Sequence, residues 1–489
     1  MKKKVFMTGA TGVMGMEAVK RFAEHPDEVE LYALARPGQK NENKLAPYAD
    51  KIHIVWGDLT DFDLLTESVK DMDYVIHIGA ILPPMASFEK PEYVMRTNYG
   101  STLALLRGIK NYAQEEQTHF VYIGTIEEVG HRSPPMHWGR IGDPMQPPMN
   151  CYYAVSKVAS ERAVAESNLK YWAITRQSFQ HPNNPAAADY PIIAMQPEEN
   201  CSEHIDCESS GNLMVQIVLN APDKFWGSAY NMGGGEGFRQ NHYDYMKKMH
   251  GSSRNGFEPK WIAKMNYHGH FFLDSDKLQE LVPYRLKTPE QFFGDELRYQ
   301  IKLVKSKPRL TPEQNKERTR EICRMQGGTL DVVERNDEEG IKIFWGSREA
   351  YDAIPDSWDD VPPPATPGEP VWMDHGYDET KPLSELALED MQQAAAFRGG
   401  KCLSESMEKG AMYLPLRWQC ALGHEFSAKP NTVLKLGHWC PECMNGQWDY
   451  FTQAKVNPFF AQSWDYLHTE EPFTVKMESD AKAIEDLFK

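Results

Sequence analysis

Tyr153 and Lys157 stand four residues apart in "CYYAVSKVASERAV". On a helix that spacing puts both side chains on one face, open to one cleft. A phenol of ordinary pKa, near 10, transfers protons poorly at neutral pH. A lysine cation beside it favours the phenolate and is expected to draw that value toward the working range. The chemistry expected of the pair is proton exchange with a substrate oxygen. Thr125, ending "HFVYIGT", offers a hydroxyl to bind the same oxygen.

A second group sits at the start, in "VFMTGATGVMG", with Gly9, Thr11, Gly12, Val13 and Gly15 where a strand turns into a helix. The first glycine permits the turn, the second lets backbone approach a pyrophosphate, and the third lets helix and strand pack closely. Amides at the helix N-terminus then face the phosphates. An acid at the end of the second strand would select NAD through the ribose 2′-hydroxyl. This chain has "ALARPGQK" instead, with Arg36 available for a 2′-phosphate and Lys40 nearby. NADP is the expected cofactor, ahead of NAD.

A third group lies near the other end, in "WQCALGHEFSAKPNTVLKLGHWCPEC". Cys420 and His424 form a C-x3-H pair, and Cys440 and Cys443 a C-x2-C pair. Four nitrogen and sulfur ligands suit tetrahedral zinc with no position left open, so a structural ion that folds a small segment is expected. Cys402 is a further thiol, expected to be buried rather than ligating. Trp439, beside His438, is expected to pack at the metal turn.

The elements that must position these groups follow from hydrophobic periodicity. "KVFMT", "ELYALA", "IHIVWG", "YVIHIGA", "HFVYIGT" and "YWAITR" read as buried strands, and the segments between them carry apolar residues at helical spacing. That alternation predicts an α/β fold, a doubly wound parallel Rossmann sheet over residues 1–182, with a small substrate-binding lobe at 183–305. Residues 306–398 read as a charged helix, a hairpin at "GGTLDVVERNDEEGIKIFWGS" and the Pro-rich acidic linker "DSWDDVPPPATPGEPVW". Residues 399–489 read as an α+β zinc-binding module.

The glycine triplet, the hydroxyl after the fifth strand and the Y-x-x-x-K helix together resemble the extended short-chain dehydrogenase/reductase family (NAD-dependent epimerase/dehydratase-like) over residues 3–305. The resemblance implies hydride transfer at the nicotinamide, with Tyr153 as acid/base and Lys157 also holding the nicotinamide ribose. It implies that Asp58 and Leu59 contact the adenine, that Gly79 and Ala80 lie beside the cofactor, and that Asn98 supports the site. Two departures stand out. Dehydratases of the family carry Asp–Glu after the threonine, whereas this chain has Ile126 and Glu127, so elimination of water lacks its proton donor. Glu127, next to Glu128, reads as a base or equally as a solvated loop carboxylate. After the sixth strand "TRQSFQHPNNP" leaves the family pattern while keeping Arg176, and no basic cluster for a diphosphate follows. The C-terminal run resembles small treble-clef-like zinc domains found beside nucleic-acid enzymes.

Composition limits the partners. The 489-residue chain carries a net charge of −17, which repels phosphate backbones and acidic membranes, and no basic stripe marks residues 399–489. No apolar run is long enough to span a bilayer. Eight cysteines in so long a chain do not build a disulfide framework, and their clustering with a histidine favours a reducing cytoplasm. "AILPPMASF" and "SPPMHWGRIGDPMQPPMN", rich in Pro, Met and Trp, suggest the edges of an apolar pocket. The leading expectation is an NADP-dependent oxidoreductase interconverting a carbonyl and an alcohol on a small, apolar or cyclic substrate. The alternatives are a nucleotide-sugar epimerase or related lyase with tightly bound NAD, and a non-catalytic dinucleotide sensor whose zinc module binds a partner. The module could also serve a homodimer contact or a lid.

Overall fold

The computed structural model describes residues 2–87, 89–132, 134–149, 151–182, 189–445, 447–468, 476–478 and 481–489. The expected boundary at residue 183, part of "HPNNP", and the pocket-edge residues 88, 133 and 150 lie outside them.

Seven strands form the central sheet: β1 Lys3–Thr8, β2 Val29–Ala35, β3 His53–Trp56, β4 Tyr74–His77, β5 His119–Thr125, β6 Tyr171–Gln177 and β7 Ser228–Met232. Their order is β7-β6-β5-β4-β1-β2-β3, and every pairing is parallel. The order of strand addition reverses between β1 and β4, which opens a crevice at the strands' carboxyl ends. Strands buried on both faces account for the apolar runs in the sequence.

The helices α1 Val13–Phe22, α2 Gln39–Leu45, α3 Phe62–Ser68, α4 Pro91–Asn111 and α5 Tyr152–Glu166 connect the strands. One core layer joins Val19 and Phe22 of α1 to Leu213 and Ile217 of the helix Cys207–Asn220. The opposite layer joins Leu65, Leu105, Ile109 and Val164 against Phe120 and Trp172. The doubly wound sheet is as expected, but its seventh strand comes from the segment expected to form the substrate lobe, so the sheet does not end at residue 182.

The segment expected to form a hairpin is two helices, Thr329–Glu334 and Glu338–Trp345. Its alternating β-branched residues suggest strands, but capping decides the outcome. The Asp337 carboxylate accepts from the Gly340 amide at 3.0 Å, and Gly346 closes the second helix at φ +85°.

The C-terminal segment has a core of its own. Leu386, Met391, Ala394 and Ala395 pack with Trp418, Val433, Leu434 and Trp439. A three-stranded antiparallel sheet, Lys401–Cys402, Leu416–Gln419 and Glu425–Ala428, carries Cys420 and His424 at its turn. The segment also packs on the central domain: Met95, Tyr99, Val155 and Val158 share a core with Tyr450, Phe460, Trp464 and Ile484. Met145 and Met149 belong to that core, and Met136 is buried as well. Trp138 stands edge-on to Phe271. The methionines of the second expected pocket edge are therefore packing, whereas Leu82 and Met85 of the first are exposed.

Candidate active site

The glycine turn meets the demands of a phosphate cradle. Gly9 has φ +74°, and a side chain on Gly15 would lie 2.1 Å from the Gly9 carbonyl oxygen. Gly12 is the N-cap of α1, and no side chain caps its amides. Donors at a helix start without an internal partner are what a pyrophosphate takes up. Thr11 is half-buried, and Val13 beside it is exposed. Across the switch point, the Thr8 hydroxyl accepts from the Gly79 amide at 3.0 Å, and a side chain on Gly79 would meet Leu59 at 3.1 Å. Asp58 is held by Thr60, whose amide and hydroxyl donate to it at 2.9 and 2.8 Å. The Arg36 side chain is exposed past the end of β2, with its carbonyl accepting from Asn41 at 2.8 Å. These residues fit a dinucleotide at the carboxyl edge of β1, β2 and β4.

On the other side of the switch point, α5 brings Tyr153 and Lys157 to β5. Tyr153, Thr125 and Lys157 are all buried. Tyr153 packs with Ala86 and Val94, near Ala80. Asn98 on α4 ties the loop after β4 to α5: its side-chain oxygen accepts from the Ile81 amide at 2.7 Å and its nitrogen donates to Ser156 Oγ at 3.0 Å. The Lys157 ammonium donates to the Ile123 carbonyl at 2.5 Å and lies 4.5 Å over the Tyr122 ring, against 5.9 Å for the Tyr153 ring.

The expected lowering of the Tyr153 phenol is not what this environment produces. Burial pushes it well above 10, the Glu127 carboxylate adds to that, and only the Thr125 hydroxyl acts the other way. Burial also lowers the lysine to about 8, against the pull of Glu128, Glu161 and Glu127. A buried ammonium aimed at a carbonyl exerts little on the phenol beyond the ring.

Nor is Glu127 a solvated carboxylate. It is 8% exposed and Glu128 is fully buried. Cys151 donates to Glu127 at 3.1 Å, and His268 Nε2 lies 3.6 Å from its other oxygen. Burial raises the Glu127 carboxyl to about 7, opposed by the Cys151 hydrogen bond and by Lys157. Burial keeps His268 neutral, near 3. Cys151 and His268 escaped the sequence reading. Cys151 lies two residues before Tyr153 and could have been found there, whereas His268 sits in an irregular stretch without a periodic signal.

Behind the site lies a buried ion network. Arg176 donates to both oxygens of Glu161, at 3.1 and 2.7 Å, and approaches Glu128 at 3.3 Å. Glu128 accepts in turn from the Thr125 amide at 3.0 Å. Burial opposes charge on both acids. At Glu161 the guanidinium and His438 outweigh it and hold the carboxyl far below its usual range. At Glu128 burial and the neighbouring Glu161 charge prevail, so that carboxyl is pushed well up.

At the distal cluster, the ligand atoms of Cys420, His424, Cys440 and Cys443 lie within 4.8 Å of one another. Cys420 Sγ is 3.8 Å from Cys443 Sγ, and His424 Nδ1 is 3.5, 3.7 and 3.4 Å from Cys420, Cys440 and Cys443. Ligands at roughly 2.0–2.3 Å from one tetrahedral zinc are separated by about these distances. Cys402 packs half-buried against the module core, outside the group. Trp439 packs edge-on to Trp418 and Phe426.

Residues 5–179 match the model of the NAD dependent epimerase/dehydratase family. Among curated proteins, dTDP-glucose 4,6-dehydratase of Mycobacterium tuberculosis is 30% identical over 112 residues, which is 22% of this chain and 33% of the relative. GDP-mannose 4,6-dehydratase of Vibrio cholerae is 31% identical over 139 residues, 27% of this chain and 37% of the relative. The chain thus spans about a third of the length of these relatives. Among solved structures, a dTDP-glucose 4,6-dehydratase of Streptomyces venezuelae with NAD is similar at 18% identity and a TM-score of 0.48, covering 62% of this chain and 98% of that one. Among the described residues no helix is long and apolar enough to cross a membrane. Over residues 5–179 the chain is similar to the NAD dependent epimerase/dehydratase family.

Proposed function

We propose that the chain is a dinucleotide-dependent enzyme that oxidises and re-reduces a carbinol carbon of a sugar-nucleotide substrate, the cofactor returning to its starting state. A bound dinucleotide supplies hydride acceptance and return at its nicotinamide. Gly9, Thr11, Gly12, Val13 and Gly15 would hold its pyrophosphate, Asp58 and Leu59 its adenine, and Gly79, Ala80, Asn98 and Lys157 its nicotinamide half. Tyr153 takes the proton of the substrate hydroxyl and later gives it back, and Thr125 fixes the same oxygen. The observation that carries the reading is Glu127, a second buried acid/base beside Tyr153, poised at about 7. A transient carbonyl acidifies the neighbouring C–H, and a carboxylate of that pKa can remove its proton near neutrality and return it to the same carbon before the carbonyl is reduced again. The names of the curated relatives support the substrate class.

If Glu127 is that base, kcat rises with pH through about 7 as the carboxyl ionises. Glu127→Gln is expected to abolish that limb and lower kcat by about 100-fold. A pH profile of the variant that keeps the limb would remove Glu127 from the mechanism. The stability effect has the opposite sense. The folded value lies above the ordinary 4.5, so Glu127 contributes stability fully below about 4.5 and loses it as pH rises through about 7.

A second reading, a net NADP-dependent reduction, is favoured by Arg36, which stands exposed past β2 with no acid at the end of that strand. The two readings part on whether added NADPH is consumed in the steady state.

We further propose that Cys420, His424, Cys440 and Cys443 hold a structural zinc. The geometry supports this: one sulfur or nitrogen from each of the four residues lies within 4.8 Å of the others, as four ligands around one tetrahedral ion would. Purified chain is expected to carry about one zinc, and Cys440→Ser to lose most of it and unfold at lower temperature. Parent-level zinc in that variant, measured by elemental analysis, would dismiss the site.

A further inference from the structure

Tyr153, Lys157 and Glu161 recur every four residues and so share one face of α5. The third of them meets the Cys/His module. His438 Nε2 lies 3.1 Å from Glu161 Oε1, and both side chains are fully buried. With Glu161 ionised against Arg176, the imidazole donates and the carboxylate accepts.

Three more contacts fall on the same helix and its neighbour. Arg176 donates to the Leu436 carbonyl at 2.8 Å. Arg162 donates to the Trp439 carbonyl at 2.6 Å. The Lys429 ammonium donates to the Ala165 and Ser167 carbonyls at 3.0 and 2.5 Å, placing a cation at the C-terminus of α5. A continuous buried path therefore runs from the Thr125 amide through Glu128, Arg176 and Glu161 to His438, two residues before the ligand Cys440. An appended module that merely shared a chain with the enzyme would have no reason to insert a histidine into this network. Two buried acids and one guanidinium leave little slack, so loss of His438 shifts where Glu161 and its helix face settle.

We propose that His438 is a positioning residue for the dinucleotide site. Through Glu161 it fixes the face of α5 that presents Tyr153 and Lys157, which makes the C-terminal module a working part of that site. The inference rests on the reading of Lys157 as a ligand of the nicotinamide half.

The test uses the full chain with two probes. NADPH or NADH, whichever the parent binds more tightly, spans both halves of the site, and ADP reaches only the glycine turn. His438→Leu is expected to weaken dinucleotide binding by about tenfold while ADP binding stays within about twofold. His438→Gln, which keeps a donor, is expected to recover most of the loss. Parent-like binding of both probes by His438→Leu would overturn the proposal, and so would equal weakening of both without rescue by Gln. Should the leucine variant fail to fold, Arg162→Met removes the adjacent contact; selective loss supports the proposal and parent-like binding overturns it. Lys157→Met separates the two claims. If it leaves dinucleotide binding intact, the functional reading itself fails. If it weakens dinucleotide binding selectively while His438→Leu does not, only the role of His438 fails.

Discussion

Tyr153→Phe is expected to lower kcat by about 1,000-fold while dinucleotide binding stays within about twofold. The assay uses whichever compound a screen of sugar nucleotides and carbonyl compounds identifies. The substitution removes one hydroxyl and keeps the ring, which packs against Ala86 and Val94. The stability cost is confined to the hydrogen bond with Thr125, about 1 kcal/mol. A large loss in kcat with binding and folding preserved can come only from the proton transfer. In a chain that senses dinucleotide without chemistry, the same variant would behave as the parent, and that result would remove the enzyme reading. Burial, with the Glu127 carboxylate, holds the phenol too high for efficient exchange at neutral pH. Positive charge at a bound nicotinamide is the kind of neighbour that would lower it, so the pH profile of the complex should differ from that of free enzyme.

Arg176→Met is expected to cost 3–5 kcal/mol at neutral pH, roughly the value for breaking a buried ion pair from one side. Glu128 and Glu161 would then share a site in which neither reaches solvent. In the parent, Glu161 has a depressed carboxyl, so its pairing contributes stability above the ordinary carboxylate range and loses it as pH falls toward the folded value. In the variant Glu161 can relieve the strain by taking a proton, so the deficit should shrink on acidification. Denaturant unfolding of both proteins at mildly acid and mildly alkaline pH would read this. Adding Glu161→Gln to the variant should recover part of the loss. Equal stability of parent and Arg176→Met would mean that the network carries no net charge pairing.

Much of this architecture is visible in local sequence. Parallel strands buried on both faces leave apolar runs, and the phosphate turn needs glycines at fixed offsets. The clustered Cys and His residues come in pairs close enough in sequence to be recognised. What is hidden depends on distant partners. Glu161 and His438 are 277 residues apart, and nothing beside either one announces the other. Glu127 resembles a loop carboxylate until Cys151 and His268, brought from separate segments, cover it. In the segment 327–347 Asp337 and Gly346 cap the second helix, Glu338–Trp345, against an apolar spacing that also suits a hairpin.

The N-terminal domain is expected to hold a dinucleotide beside Tyr153. The most direct measurement is to denature freshly purified full-length chain, identify any released nucleotide by mass and quantify it per chain. Chain that releases none is then titrated with NAD and NADP. The account predicts about one dinucleotide per chain, either co-purified or taken up on titration. A chain that neither carries nor binds either dinucleotide would contradict it.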